Sequence, residues 1–245
     1  MSSIQNDILR YLRQQKETFG SATYVVSGDH EAVEMPTEPV EPMHTPEEVE
    51  PMPQAITASW QKSATIDELN DNICNCMECA LGATRTQFVF GSGNPNADVM
   101  VIGEAPGADE DMQGLPFVGR AGKLLTKILE AIELPREEVY ICNILKCRPP
   151  NNRRPNSGET DTCEPYLWKQ IELIKPKYIL ALGLTSANTL LKTKSSMKDL
   201  RGQIHDYQGI STIVTYHPAA LLRNPNWKKD TWEDVKKLKS LLDSQ

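Results

Sequence analysis

Six cysteines carry the clearest chemical signal in this sequence of 245 residues. Cys76 and Cys79 stand at the C-x-x-C spacing, which is typical of metal ligands but also occurs in redox sites and by chance. Together with Cys147 and Cys163 they would provide four thiolates, which can hold either zinc or an iron–sulfur cluster. The spacing alone does not decide between these two kinds of metal site.

The two remaining cysteines have different expected roles. Cys142 falls within an apolar strand pattern and is predicted to be a small buried hydrophobe. Cys74 lies close enough to Cys76 to compete with it for one ligand position. We recognise neither a signal peptide nor an apolar stretch long enough to cross a bilayer, so we expect a soluble cytoplasmic protein. In a reducing compartment, metal ligands or buried thiols are expected rather than disulfides.

An acidic loop rich in glycine and proline, residues 103–111, is the second candidate site. It follows a short apolar run at 98–102, which is typical of a buried parallel strand, and it precedes a helical pattern at 122–132. In open α/β sheets, ligands bind in the crevice beyond the carboxyl ends of the strands. Phe117, an aromatic residue with no predicted element to pack against, lies in the same connection. We therefore expect a ligand pocket at this point.

The same loop admits a different chemistry. Asp109, Glu110 and Asp111 could hold Mg²⁺ in a nuclease or phosphatase site, because hard cations take carboxylate oxygens as ligands. No further Asp or Glu stands at the end of a later predicted strand, which weakens this alternative.

Two polar residues directly follow later strand patterns. The Asn143 amide can donate and accept side by side, which matches a pyrimidine edge that has adjacent carbonyl and N–H groups. His217 follows the last strand pattern, and each of the two residues alone would more often have a purely structural role. Apolar side chains beside an arginine at a loop tip suit a wedge that enters a DNA base stack while the guanidinium meets phosphate. Candidates for such DNA contacts are Leu221, Leu222 and Arg223, together with Arg153 in a basic loop.

Strand and helix patterns alternate along residues 98–242. Buried-strand patterns lie at 98–102, 138–143, 177–183 and 212–216, and helical patterns lie at 122–132, 158–174, 185–191 and 227–242. Alternation of this kind predicts an α/β fold with three layers, α/β/α, around a central four-stranded parallel sheet. Thr65 and Glu68 have the spacing of a capping box, so a helix is expected to begin there.

The charge distribution divides the chain. Residues 1–70 carry 4 Lys and Arg against 12 Asp and Glu, whereas residues 71–245 carry 22 against 21. We predict an amphipathic helix within residues 1–26, which would either pack on the main body or dock a partner protein. Residues 27–58 are rich in Pro and Glu and are predicted to be a disordered linker. The remaining residues, 59–245, are predicted to form the catalytic domain.

Several separate motifs follow one another in a fixed order. They are the cysteine pair at 76–79, Gly-Glu-Ala-Pro-Gly at 103–107, Pro-Phe-Val-Gly-Arg-Ala-Gly at 116–122, Asn-Ile-Leu-Lys-Cys-Arg-Pro-Pro at 143–150, Cys163, and His-Pro-x-x-Leu-Leu-Arg-Asn-Pro at 217–225. Together they closely resemble the family 4 uracil-DNA glycosylases over about residues 74–243. The resemblance implies a monomeric, monofunctional hydrolase that releases uracil from single- and double-stranded DNA, leaves an abasic site and initiates base excision repair.

The resemblance also implies a role for each motif residue. A [4Fe-4S] cluster would be held by Cys76, Cys79, Cys147 and Cys163. Phe117 would stack on the extruded base, Asn143 would read its edge, and His217 would donate to its O2. The backbone at Glu104 and Ala105 would line the base, and Glu110 with Asn152 would position the attacking water. A rival hypothesis is a non-catalytic iron–sulfur DNA-binding protein that serves a polymerase or repair complex.

Overall fold

The computed structural model describes residues 58–244 of the chain. The chain separates into two units, residues 1–52 and residues 53–245, and the description below concerns the second. The predicted N-terminal helix and the predicted linker up to residue 57 lie outside the described residues.

Six strands form one sheet in the order β1-β3-β2-β4-β6-β5. The strands are β1 (Ser92–Gly93), β2 (Val99–Gly103), β3 (Tyr140–Asn143), β4 (Tyr178–Leu182), β5 (Ile204–Tyr207) and β6 (Ile210–Thr215). The central strands β3, β2, β4 and β6 run parallel to one another, which confirms the predicted four-stranded parallel core. The two edge strands, β1 and β5, are antiparallel additions that the sequence patterns did not predict.

A short hairpin explains why β5 was missed. Of the four residues of β5 only Tyr207 is buried, so the strand lacks the buried apolar run that marks the central strands. The connection to β6 is the pair Gln208 and Gly209, whose φ angles of 52° and 86° are those of a two-residue hairpin turn. Pairing with β6, rather than burial, makes this segment a strand.

The helices cover both faces of the sheet. They are α1 (Ile66–Ile73), α2 (Ala108–Gln113), α3 (Arg120–Glu130), α4 (Ser157–Ile174), α5 (Leu184–Leu191), α6 (Met197–Leu200), α7 (Pro218–Arg223) and α8 (Lys228–Asp243). Short 3₁₀ turns occupy Ser59–Lys62, Ala80–Ala83, Arg136–Glu138, Pro150–Asn152 and Pro225–Trp227. The four long predicted helices are α3, α4, α5 and α8, each within two residues of its predicted bounds. No helix among residues 58–244 is long and apolar enough to cross a membrane.

Alternation along the strands divides the core into two clusters. In β2, Met100 and Ile102 belong to a cluster that also contains residues of α1, α4 and α5. Val99 and Val101 point to the opposite face and join a cluster with residues of α3 and α8. Because successive side chains of a strand lie on opposite faces, both faces of the sheet are buried under helices, and the predicted three-layer architecture is confirmed.

Two helix starts fix the loops that carry the motifs. Thr65 Oγ1 accepts a hydrogen bond from Glu68 N (3.1 Å), as the capping pattern predicted, so α1 begins where the sequence indicated. At the start of α4, Asn156 Oδ1 accepts from Glu159 N (2.8 Å), and Glu159 Oε2 accepts from Asn156 N (3.0 Å). This capping box fixes the start of the helix that carries Cys163.

Candidate active site

The candidate pocket lies at the carboxyl ends of the parallel strands. Gly103 ends β2 and Asn143 ends β3, and the two residues are register partners in the sheet. His217 follows β6 and caps α7, and a Cβ built on Gly183, just after β4, would lie 3.0 Å from its Cβ. The chain order of the motifs therefore converges on one edge of the sheet, as expected for an open α/β fold.

Gly103 leaves room for two of the predicted site residues to meet. A Cβ built on Gly103 would lie 2.6 Å from Phe117 Cζ and would also collide with Asn143 Oδ1. The rings of Phe117 and His217 lie with their centroids 5.5 Å apart at an interplanar angle of 33°. The structure thus places the Phe117 ring close to both Asn143 and His217.

The Asn143 amide is buried but incompletely bonded. Its residue is only 2% exposed, and its Oδ1 accepts no hydrogen bond from any residue between 58 and 244. Leaving such a group unpaired costs about 1–3 kcal/mol, so an acceptor held in this way is suited to a ligand donor. The Asn143 backbone is held by fully buried Lys146. The Lys146 Nζ donates to Asn143 O (2.7 Å) and to Gln170 Oε1 (2.6 Å).

His217 is held as a neutral donor. Its Nδ1 accepts a hydrogen bond from Ala219 N (3.2 Å), so the ring proton of the neutral imidazole must lie on Nε2. Burial, together with the nearby Arg223 charge, lowers the pKa of His217 to about 4, and the Glu110 carboxylate opposes the shift. At neutral pH the site therefore presents an uncharged imidazole with Nε2–H free to donate.

Glu110 organises the loop that carries Phe117. Its Oε1 accepts from Val118 N (2.9 Å) and Gly119 N (3.0 Å), and its Oε2 accepts from Gly107 N (3.1 Å). A carboxylate with three backbone donors ties the start of α2 to the chain after Phe117. In this structure Glu110 thus holds the pocket wall.

Glu104, Ala105 and Asn152, which were predicted to contact the base or the attacking water, have no side-chain contact with Phe117, Asn143 or His217 among the contacts found within residues 58–244. Glu104 and Ala105 continue from Gly103 and are partly buried, with Glu104 O accepting from Leu145 N (3.1 Å). Asn152 lies on the exposed 3₁₀ turn after β3, where its Oδ1 accepts from Arg148 Nε (2.8 Å). Among the contacts of residues 58–244, none joins the Asn152 side chain to the pocket.

The predicted DNA-contact residues separate into two groups. Leu221 is fully buried where α7 packs on α3, whereas a side chain that enters a base stack has to be exposed. Its neighbour Leu222 is 39% exposed, and Arg223 is exposed beside it. Arg153 is half-exposed but is engaged by Glu159 through two hydrogen bonds of 2.6 and 2.9 Å.

The acidic residues of the loop do not form a cation site. Asp111 is buried and accepts from Thr86 N (2.9 Å), whereas Glu110 bonds the segments described above. Among residues 58–244, no group of three or more His, Cys, Asp or Glu side chains is placed to hold a metal ion. The magnesium nuclease alternative therefore has no support in the placement of the carboxylates.

Four of the cysteines line one cavity. Cys76 and Cys79 lie before the Ala80–Ala83 turn, Cys147 follows β3, and Cys163 lies on α4, and all four border the same cavity. The wall between them includes Leu81 and Tyr166. A zinc ion needs four sulfurs about 2.3 Å from one point, whereas each iron of a cluster takes a thiolate at a separate corner. Four thiols that border one cavity are a donor set that either kind of metal site could use.

The remaining two cysteines lie elsewhere. Cys142 is completely buried within β3, as predicted, and burial raises the pKa of its thiol. The Sγ of Cys74 donates to Asp71 O (3.6 Å), and Cys74 is not among the residues that border the cavity.

Polar groups contact the sulfurs of the cavity. Arg85 Nη1 donates to Cys147 Sγ (3.4 Å), and the same guanidinium donates to the carbonyl groups of Cys74 and Cys76. The backbone amide of Lys146 donates to Cys163 Sγ (3.4 Å), and the Tyr166 hydroxyl lies 3.3 Å from Cys76 Sγ. Such donors stabilise thiolates and orient ligands around a metal centre.

Three residues around the site were missed by the sequence patterns: Arg85, Arg136 and Lys146. Arg85 and Arg136 donate to backbone carbonyl groups, and Arg85 also donates to a cysteine sulfur. Lys146 donates to the carbonyl group of Asn143 and to the side chain of Gln170. The only available signal was their position inside or beside the motifs. Charge pattern alone would have placed all three on the surface.

The fold and the site together define a class of protein. The sequence model described as the uracil DNA glycosylase superfamily matches residues 90–236, a span that contains Gly103, Asn143 and His217. This is the stretch that builds the parallel sheet and its ligand edge.

Similarity to individual proteins is more specific. The chain is 44% identical over 186 residues to the type-4 uracil-DNA glycosylase of Sulfurisphaera tokodaii, covering 72% of this chain and 84% of that protein. Identity is 45% over 190 residues to the type-4 enzyme of Saccharolobus solfataricus, with coverages of 74% and 88%. For the type-4 enzyme of Thermotoga maritima it is 40% over 187 residues, with coverages of 75% and 97%. The chain belongs to the uracil DNA glycosylase superfamily and, within it, to the type-4 uracil-DNA glycosylases.

Proposed function

We infer that this chain is a monofunctional uracil-DNA glycosylase. It hydrolyses the bond between N1 of uracil and C1′ of deoxyribose in DNA, releases uracil and leaves an abasic site for base excision repair. The observation that carries the assignment is the buried, unpaired Oδ1 of Asn143 beside Phe117 and a neutral His217.

Recognition follows from the hydrogen-bonding edge of the base. Asn143 Oδ1 accepts from uracil N3–H, and its Nδ2 donates to O4. Cytosine has no hydrogen on N3 and carries an amino group at C4, so it would leave both amide atoms facing like groups. A buried site that cannot pair its polar atoms rejects such a base strongly.

Stacking on Phe117 would add to the binding of a flipped base. The base must leave the duplex before its glycosidic bond is accessible, at a cost of a few kcal/mol. Phe117 supplies a buried aromatic face for the flipped ring, and base–aromatic stacking is worth about 1–3 kcal/mol. The backbone of Glu104 and Ala105 would line the opposite side.

Bond cleavage places negative charge on the leaving base. The electron pair of the C1′–N1 bond goes to uracil, and the charge is shared with O2. His217 Nε2–H donates to O2, so it stabilises charge that exists only as the bond breaks. A neutral imidazole can do this without protonating the base, and the low pKa of His217 keeps it neutral.

Water completes the reaction at the sugar. Its oxygen bonds to C1′, and one proton leaves to solvent or to the departing base. We propose that Glu110 and Asn152 position this water, as the resemblance implies. Glu110 is anchored by three backbone amides and Asn152 by Arg148, so both oxygen-bearing groups are held in place.

The four cavity cysteines would hold a [4Fe-4S] cluster. The support is the chemistry of the donor set: four thiols around one cavity, with Arg85 and the Lys146 amide donating to sulfur. The resemblance implies that such a cluster supplies structure rather than redox chemistry. Its ligands would come from the Cys76–Cys79 loop, the segment after β3 and α4, so binding would fix these three segments relative to one another.

A glycosylase assay with three readable outcomes tests the function. A DNA strand with one uracil, single-stranded or paired with guanine, is incubated with excess full-length protein and then heated in alkali. Cleavage at the uracil only after alkali supports base release, and a thymine-containing strand serves as control. An intact uracil strand after alkali would defeat the assignment.

The same assay separates the rival functions. DNA binding without base release would favour the non-catalytic accessory protein. Strand cutting without alkali that is abolished by a chelator would favour a metal-dependent nuclease.

A further inference from the structure

The backbone of Phe117 is held in a conformation that it does not favour. Its φ angle is 53°, in the left-handed region that L-residues other than Asn and Asp seldom adopt. A residue held there costs of order 1–3 kcal/mol and persists only where its surroundings fix it. Phe117 also carries the ring that faces Asn143 and His217, so whatever fixes its backbone sets the wall of the pocket.

Arg136 grasps the chain on one side of this residue. Its Nη1 donates to Phe117 O (3.0 Å) and its Nη2 donates to Pro116 O. A guanidinium has a rigid fork of donors, so two successive carbonyl groups are fixed by a single planar group. A lysine at this position could reach one carbonyl group but could not form the fork.

The packing around Phe117 leaves little freedom. A Cβ built on Gly122, in the first turn of α3, would overlap with Phe117 O. On the following side, Glu110 accepts from the amides of Val118 and Gly119. The strained residue therefore lies between a cation that holds its carbonyl group and an anion that holds the next two amides.

Arg136 has no competing role among the described residues. It lies on the Arg136–Glu138 turn that leads from α3 into β3, the strand that ends at Asn143. None of the ion pairs found within residues 58–244 includes it. Burial lowers the pKa of Arg136, and the Glu110 carboxylate opposes that shift. The hydrogen bonds of this partly desolvated cation go to two backbone carbonyl groups.

We propose that Arg136 is a positioning residue for the base-stacking ring of Phe117, holding it in its left-handed conformation at the pocket wall. The proposal rests on the function inferred above, because it takes Phe117 to be the stacking surface for uracil. It adds a determinant that acts 19 residues from the ring it places.

A double-mutant cycle tests whether Arg136 acts through Phe117. We expect Arg136→Ala to lower kcat/KM for uracil release by about 10- to 100-fold, the usual cost of a misplaced group in a catalytic pocket. In a Phe117→Ala background the same change should cost less than about 3-fold, because no ring remains to be positioned. Arg136→Lys should lie between wild type and Arg136→Ala. Lys127→Ala, an exposed cation on α3, serves as the matched control with wild-type activity.

A spectroscopic measurement decides the question independently of activity. The chain has 4 phenylalanines, so fluorine NMR of protein labelled with 4-fluorophenylalanine gives few signals, and Phe117→Ala assigns the relevant one. We expect Arg136→Lys to shift or broaden the Phe117 signal while Lys127→Ala leaves it unchanged. If Arg136→Ala fails to fold, Arg136→Lys carries both measurements.

The outcomes separate the two levels of inference. Equal losses in both backgrounds, no loss in either, or an unchanged Phe117 signal would overturn the role of Arg136. Absence of uracil release by the wild type would instead overturn the proposed function, and the NMR measurement would still decide whether Arg136 fixes the ring.

Discussion

Gly103 and Asn143 face each other at paired positions of β2 and β3, and a Cβ on Gly103 would collide with Asn143 Oδ1. The same Cβ would lie 2.6 Å from the ring of Phe117. Phe117 and Asn143 can therefore approach the end of β2 this closely because that strand ends in a residue without a side chain. Asn143 and Phe117, which we propose bind the base, both depend on the absence of a side chain at Gly103.

Gly103→Ala should close the pocket. We expect kcat/KM for uracil release to fall by at least about 100-fold, because either Asn143 or Phe117 must move. The free energy of unfolding should fall by about 1–3 kcal/mol, as for other overpacked sites. Gly158→Ala is the matched control, since its added Cβ would lie 3.5 Å from Asn156 Oδ1, an ordinary van der Waals contact. Wild-type activity in Gly103→Ala would refute this account of the pocket.

Asn143→Asp should change which base is accepted. A carboxylate cannot donate to O4 of uracil but can accept from the amino group of cytosine, so the ratio of cytosine to uracil release should rise. The measurement is base release from matched strands that contain one uracil or one cytosine opposite guanine. Exposed Asn96→Asp is the control and should leave the ratio as in wild type. An unchanged ratio in Asn143→Asp would mean that this amide does not read the base.

The depressed pKa of His217 predicts a defined pH dependence of stability. The unfolded imidazole titrates near pH 6.5, whereas the folded one titrates at about 4. The folded state thus binds fewer protons between these values, so the stabilisation is complete above about pH 6.5 and is lost as the pH falls towards 4.

The comparison of thermal unfolding between wild type and His217→Asn measures this effect. The melting temperature of wild type should fall more steeply than that of the variant between pH 6.5 and pH 4. Uracil release by wild type should remain constant from neutral pH to about pH 5, because the imidazole stays neutral. If the melting temperatures of wild type and His217→Asn fall by the same amount between pH 6.5 and pH 4, the assigned protonation state of His217 is contradicted.

Leu221 and Leu222 should behave differently although they are neighbours. Leu221→Ala removes a fully buried side chain and should lower the free energy of unfolding by roughly 2–5 kcal/mol. Leu222→Ala should leave stability within about 0.5 kcal/mol of wild type. It should slow uracil release from duplex DNA more than from single strands, because only the duplex requires the base to be extruded. Equal slowing on both substrates would exclude a wedge role.

The four cavity cysteines should be separable from the other two. Substitution of Cys76, Cys79, Cys147 or Cys163 by Ser should each reduce the iron content and visible absorbance of the purified protein and lower its melting temperature. Cys74→Ser and Cys142→Ala are the controls and should retain iron. Full iron content in any of the four variants, or its loss in Cys74→Ser, would require a different ligand set.

Local sequence determined the elements and the motif positions. Continuous apolar runs indicated the four central strands, which are buried on both faces. Apolar residues at helical spacing indicated α3, α4, α5 and α8, because a helix that is buried on one face repeats its apolar residues about every 3.6 positions. Asn143 and His217 could be recognised as site candidates because each follows such a strand. The sequence patterns did not predict the edge strand β5, because this strand forms by pairing with β6 rather than by burial of its own apolar residues.

Tertiary structure decided which atoms are available for chemistry. Leu221 and Leu222 are identical in type, and only the packing of α7 on α3 buries one and exposes the other. The proton position on His217 follows from the amide of Ala219, and Arg136, on the turn after α3, donates to the carbonyl group of Phe117. A residue's periodicity is set by its sequence neighbours, whereas its hydrogen-bond partners are set by segments that folding brings together. The sequence could therefore name candidate site residues, whereas only the structure shows which groups hold each of them.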